Sequence, residues 1–232
     1  MGNSVIVCNK FVFLHLHKSG GTFVNQMMSA CIPYARQIGY HFPYSMLPEN
    51  FRRLPVIGTV RNPWAYYVSW YSFQQQMKRP NALFMAVSNN NTLDFHATIF
   101  KLLSLNNDEH LLAKVSALLP TQFENKGLNL TQQCIMPINQ SSIGFYSFLY
   151  NRLYQGSVNA SIIKVEQLRR DFSAKMATLK VAPQPKIQAF LEQAPIMNAS
   201  RHQTYQSYYS TALKNHIAEL DSALIDSHGY SF

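Results

Sequence analysis

The chain has 232 residues, 47% of them hydrophobic, enough for one good-sized core and too many for wholesale disorder, so one domain spanning 1–232 is expected. Twenty Lys+Arg against 11 Asp+Glu give a formal net charge of +9, a field that draws anions. The basic residues form no run longer than two and no nucleic-acid motif accompanies them, while Cys8, Cys31 and Cys134 are too few and too widely spaced for a disulfide framework or a zinc site.

An apolar β-rich run predicts a strand over 10–16, and a helix over 22–31 follows it after a glycine turn. A loop then continues through Pro48. A second β-branched run predicts a strand over 55–60, and Pro63 suits the first turn of a helix over 63–77, on which Trp64, Val68 and Tyr71 form the core face. Lys78-Arg79-Pro80 closes that helix. Helical spacing recurs at 92–103, with Thr92 as N-cap, and at 109–119. These two helices belong to an insertion over about 80–142, whose second part, 120–142, carries Pro120, Gly127, Asn129 and Pro137 and reads as a long surface loop. Helix over 143–154, strand over 160–165 and helix over 167–179 come next. Leu213, Ile217, Leu220, Leu224 and Ile225 share one face of a helix over 210–228, and Gly229 ends it. Strands alternating with helices imply an α/β fold, a central mainly parallel sheet flanked by helices.

Two strings carry the chemistry. At the end of the first strand stand His15, His17, Lys18, Ser19, Gly20, Gly21, Thr22 and Phe23: a point charge, two residues that allow a tight turn, and a helix start whose N–H groups and dipole favour an anion. The nucleotide-triphosphate loop G-x-x-x-x-G-K-[ST] places its lysine after the glycines. Here lysine comes first. The order resembles the 5′-phosphosulfate loop of the sulfotransferases that use 3′-phosphoadenosine 5′-phosphosulfate (PAPS), in the H-x-P-K-[ST]-G-G-T form of carbohydrate enzymes such as the heparan 2-O and 6-O sulfotransferases, with His17 in place of the proline. After the second strand, Arg61-Asn62-Pro63 and Ser69-Trp70-Tyr71 resemble the same family's 3′-phosphate motif, V-x-R-N-P-x-x-R-x-x-S-W-Y, without its second arginine, near Tyr67. Val165-Glu166-Gln167-Leu168 resembles the family's strand-end E-x-L element. The run from Asn198 through Ser200 and Arg201 to Tyr208-Tyr209, with Gly229-Tyr230-Ser231-Phe232, resembles its closing segment.

The resemblance implies a P-loop NTPase-like sulfotransferase fold with a helical insertion, and a PAPS-dependent enzyme whose nucleotide product is 3′-phosphoadenosine 5′-phosphate (PAP), with no metal. It assigns Lys18, Ser19, Gly20, Gly21, Thr22 and Phe23 to the 5′-phosphosulfate and Arg61 and Ser69 to the 3′-phosphate. Ser200 and Arg201 fall on the late loop that folds over the donor. The acceptor is a hydroxyl compound, a saccharide by the style of the loop. Lys18 would neutralise the leaving phosphate, and an imidazole would take the acceptor's proton. His41, between the two donor motifs, corresponds to the base of the heparan 6-O enzymes. His15 and His17 compete with it, as does a carboxylate such as Glu49 or Glu166, and a base titrating near neutrality is expected. A P-loop kinase acting on a small metabolite and a non-catalytic nucleotide- or polyanion-binding module stay open. The first apolar run, 11–16, is far below the roughly 20 residues that span a bilayer, so a cytoplasmic location is expected.

Overall fold

The computed structural model describes residues 5–124, 127–181, 184–195 and 201–232. In chain order the elements are β1 (Val5–Val7), β2 (Val12–Leu14), α1 (Gly21–Cys31), β3 (Arg36–Gly39), α2 (Glu49–Arg52), β4 (Val56–Val60), α3 (Pro63–Gln76), α4 (Ala82–Val87), α5 (Phe95–Leu103) and α6 (Glu109–Ala117). There follow α7 (Gln132–Ile135), α8 (Phe145–Tyr154), β5 (Ala160–Lys164), α9 (Leu168–Leu179), α10 (Gln184–Gln193), α11 (Thr211–Leu220) and α12 (Ser222–His228). They fall into two compact units, Met1–Arg61 with Tyr150–Ala199, and Asn62–Leu149 with Ser200–Phe232. No described helix is long and apolar enough to cross a membrane.

The first unit holds the sheet, in the order β3-β1-β2-β4-β5. β2, β4 and β5 run parallel, as the α/β pattern requires, with Phe13 opposite Ile57 and Ile57 opposite Ser161. The other edge is antiparallel: β1 pairs with β2 through a tight hairpin in which Cys8 N–H donates to the Phe11 carbonyl at 3.1 Å, and β3 pairs with β1. This edge is absent from the expected elements. β1 is only three residues long, and β3, Arg-Gln-Ile-Gly, buries only Gly39 and carries no apolar run. β2 is buried on both faces and therefore reads as continuously apolar. One face of the sheet, with Ile6, Phe13, Ile57 and Ile163, packs against Val24, Met27 and Met28 of α1, Phe172 and Met176 of α9, and Ile187 and Leu191 of α10. α10 also lies outside the expected elements. Pro185 occupies its first turn, where a missing N–H costs nothing.

In the second unit α3 begins with Pro63, and the Asn62 side chain caps it by accepting the Ala65 N–H. The expectation of a one-sided core face is corrected here: every residue from Pro63 to Ser72 is buried. Tyr66 stacks on Tyr146 with centroids 3.9 Å apart, and Trp70 meets Phe84 edge-on at 5.5 Å. α5 is capped by Asp94, whose carboxylate accepts the Ala97 N–H at 2.8 Å. Thr92 instead donates to the Asn89 carbonyl. The stretch read as a surface loop contains α7 and buries Leu128, Leu130, Ile135 and Ile138. The single helix expected over 210–228 is two, α11 and α12, joined at Asp221. Its fully buried carboxylate accepts the Tyr67 hydroxyl at 2.8 Å and the Ser147 N–H at 3.0 Å, tying the joint to α3 and α8. Leu213, Ile217 and Leu224 are buried as the periodicity implies, and Gly229 adopts the left-handed conformation that ends α12.

Candidate active site

The loop between β2 and α1 is shaped by two left-handed residues, Lys18 at φ 54° and Gly20 at φ 76°. For lysine this conformation is strained, of the kind that persists only where the surroundings enforce it. Ser19, fully buried, supports the turn by donating its N–H to the Leu16 carbonyl at 3.2 Å and its hydroxyl to the His17 carbonyl at 3.3 Å. Gly20 then opens α1, accepting the Phe23 N–H at 3.1 Å, without a side-chain cap and with no acidic residue in the first turn to compete for the helix end. Such an end is an anion cradle. The two glycines are required for different reasons. Gly20 needs the positive φ and has Leu168 and Val165 close by, whereas a Cβ on Gly21 would fall inside the His15 imidazole. Gly21→Ala is therefore expected to displace the loop and destabilise the protein by about 1–3 kcal/mol, the usual cost of overpacking, as read by denaturant unfolding.

Arg61, the residue after β4, reaches this loop. Its Nη1 donates to the Lys18 carbonyl at 3.3 Å, which brings two cations together at the C-terminal ends of neighbouring strands. Burial, and secondarily the Arg61 charge, pull the Lys18 ammonium down to about 8.

His15 and His17, both in the loop, cluster with His41. The His41 ring lies 4.4 Å from His15, 5.7 Å from His17 and 4.6 Å from Tyr40, centroid to centroid. His41 Nδ1 is 2.6 Å from the His15 carbonyl. A carbonyl only accepts, so Nδ1 carries the proton and Nε2 holds the free lone pair. That Nε2 is buried and, among the described residues, has no hydrogen-bond partner. Burial lowers His41 to about 4, against the opposing effect of the His15 carbonyl and with a smaller contribution from the Arg152 charge. The expectation of a base titrating near neutrality is thereby corrected. His15 and His17 are likewise held well below the usual range, by burial first and then by their charged neighbours. Among the described residues no three His, Cys, Asp or Glu side chains are arranged to hold a metal ion, this cluster included.

Of the residues singled out in the sequence, Lys18 to Phe23, the three histidines and Arg61 thus lie together in the first unit. Ser69 is buried on the second turn of α3, in the second unit. Arg201, also there, is exposed, and its backbone is held by Gln76, whose amide accepts its N–H at 3.3 Å and donates to its carbonyl at 2.8 Å. Ser200 lies outside the described residues. Glu49 is exposed on α2. Glu166 lines a cleft of about 430 Å³ beside the loop, walled by Gly20, Phe23, Leu168 and Arg169. Motif reading gave Arg169 no role. Its guanidinium stacks over Phe23 at 4.8 Å and donates to the Leu191 and Ala194 carbonyls at the end of α10, so it braces the cleft wall. Its position next to the E-x-L element is the one sequence signal that could have pointed to it.

The sulfotransferase domain family matches residues 31–113, a span that holds His41, Arg61 and Ser69 and begins after the Lys18 loop. Among solved structures, the crystal structure of mouse sulfotransferase SULT7A1 complexed with PAP is similar in fold, with a TM-score of 0.51 and 12% identity, over 94% of this chain and 84% of that one. No curated protein matches the sequence. The chain thus carries a sequence match to the sulfotransferase domain over residues 31–113 and has a fold similar to that of a solved sulfotransferase.

Proposed function

We propose that this chain transfers a sulfuryl group from PAPS to an acceptor hydroxyl, with saccharides as the acceptor class. The observation that carries the proposal is Lys18, held in a left-handed turn at the N-terminus of α1 with the Arg61 guanidinium on its carbonyl. Two cations and an uncapped helix end suit a donor bearing a 5′-phosphosulfate and a 3′-phosphate. Transfer makes a bond from the acceptor oxygen to sulfur as the bond from sulfur to the 5′-phosphate oxygen breaks. Lys18 neutralises the charge that builds on that leaving oxygen, and the first-turn N–H groups of α1 share the load. His41 Nε2 takes the hydroxyl proton, its free lone pair being directed by the bond at Nδ1. The saccharide class is supported by the resemblance of the loop to that of carbohydrate enzymes and by the net charge of +9, which suits an anionic acceptor.

Calorimetry with PAP in the absence of magnesium tests donor binding, and transfer from labelled donor to a panel of saccharides, above the hydrolysis background, tests the reaction. Arg61→Ala is expected to weaken PAP by about 1.5–3 kcal/mol, the range for a hydrogen bond to a charged group, and to leave adenosine 5′-phosphosulfate, which lacks the 3′-phosphate, nearly unchanged. Equal losses for the two ligands would remove Arg61 from the 3′-phosphate.

A further inference from the structure

β2 ends at Leu14, its last pair being Leu14 with Gly58, while β4 runs on to Val60. Thr59 therefore continues past the end of its neighbour, and its N–H and C=O lose their strand partner on that side. A side chain fills the place. The Tyr154 hydroxyl accepts the Thr59 N–H at 2.9 Å and lies 3.0 Å from the Thr59 carbonyl and 3.3 Å from the Leu14 carbonyl. One hydroxyl proton serves one of these two acceptors at a time, so the oxygen sits as a bridge across the gap between the strands. The ring is fixed as well. Gly58 leaves room for it, since a Cβ there would overlap it, and Tyr150 packs against its edge at 4.9 Å.

What hangs on this bridge is the separation of two chain segments. The Leu14 carbonyl is one residue before the Lys18 loop begins, and Thr59 is two residues before Arg61. We infer that Tyr154 is a positioning residue that sets the distance between the Lys18 loop and Arg61, and so the simultaneous grip on the two phosphate groups of the donor. The inference rests on the proposed assignment of those two sites. It gives Tyr154 a role that a tyrosine merely filling the core would not have: loosening the bridge penalises a ligand that must touch both sites at once and spares one that touches only the loop.

Tyr154→Phe removes the hydroxyl and keeps the ring over Gly58. PAP and adenosine 5′-phosphate, which carries the 5′-phosphate alone, are titrated into wild type, Tyr154→Phe and Arg61→Ala, with thermal melts confirming folding. Tyr154→Phe is expected to weaken PAP about fivefold to tenfold, the worth of one net hydrogen bond, and adenosine 5′-phosphate less than about twofold. Should Tyr154→Phe fail to fold, Gly58→Ala, which pushes the ring off its seat, is read in the same way. Equal losses for both ligands, or none, would overturn the positioning role if Arg61→Ala still discriminates between them. A failure of Arg61→Ala to discriminate would instead overturn the assignment of the two phosphate sites on which it stands.

Discussion

Lys18→Ala is expected to depress turnover at least about 100-fold, the loss typical of removing one preorganised electrostatic group, while PAP affinity falls less. The difference arises because charge accumulates on the leaving oxygen only as the bond to sulfur breaks. The lowered ammonium, at about 8, supplies a second readout. A bound polyanion favours the charged form, so PAP binding near pH 8 should take up a proton, and PAP affinity should fall as pH rises through that value. Calorimetry in buffers of different ionisation enthalpy counts the proton. Lys18→Ala should abolish the uptake, and Lys18→Arg, always charged, should keep binding flat from pH 7 to 9. Near-wild-type turnover in Lys18→Ala would sink the assignment.

His41→Ala should cost about 10²–10⁴-fold in rate and leave PAP affinity nearly unchanged, because a general base acts on the acceptor's proton and not on the donor. Protonation of Nε2 removes the base, so kcat/KM should fall as pH drops through about 4 and stay level above it until Lys18 loses its proton near 8, since kcat/KM reports the free enzyme and burial has moved both groups there. An acid limb near 6.5 would mean that the imidazole is hydrated in the working enzyme. His17→Ala is the control. If that variant loses the limb and His41→Ala keeps it, the two roles are exchanged. If neither matters, Glu166 in the cleft wall becomes the base to test.

Much of the local architecture was legible in the residues. The apolar run before Lys18, the pair Gly20-Gly21 and the sequence Asn62-Pro63 mark strand ends, a tight turn and a helix cap by short-range sterics and hydrogen bonding alone, and β2, α1, β4 and α3 stand within a few residues of where those signals put them. The grouping of Lys18, Gly20 and Gly21 at one turn was legible for the same reason, these residues being nearly contiguous in the chain. Where meaning depended on distant partners, sequence was silent. The antiparallel edge through β1 and β3 exists because a sheet accepts short or polar strands that carry no periodicity of their own. The break between α11 and α12 follows from Tyr67 and Ser147 closing on Asp221. His41 could be named as a candidate from its position, but its low basicity and its tautomer come from burial against His15, 26 residues away. Tyr154 reaches Thr59 across 95 residues. Turns and caps are decided by neighbours in the chain, whereas desolvation and the bridging of strand ends are decided by neighbours in space, and only the folded protein specifies those.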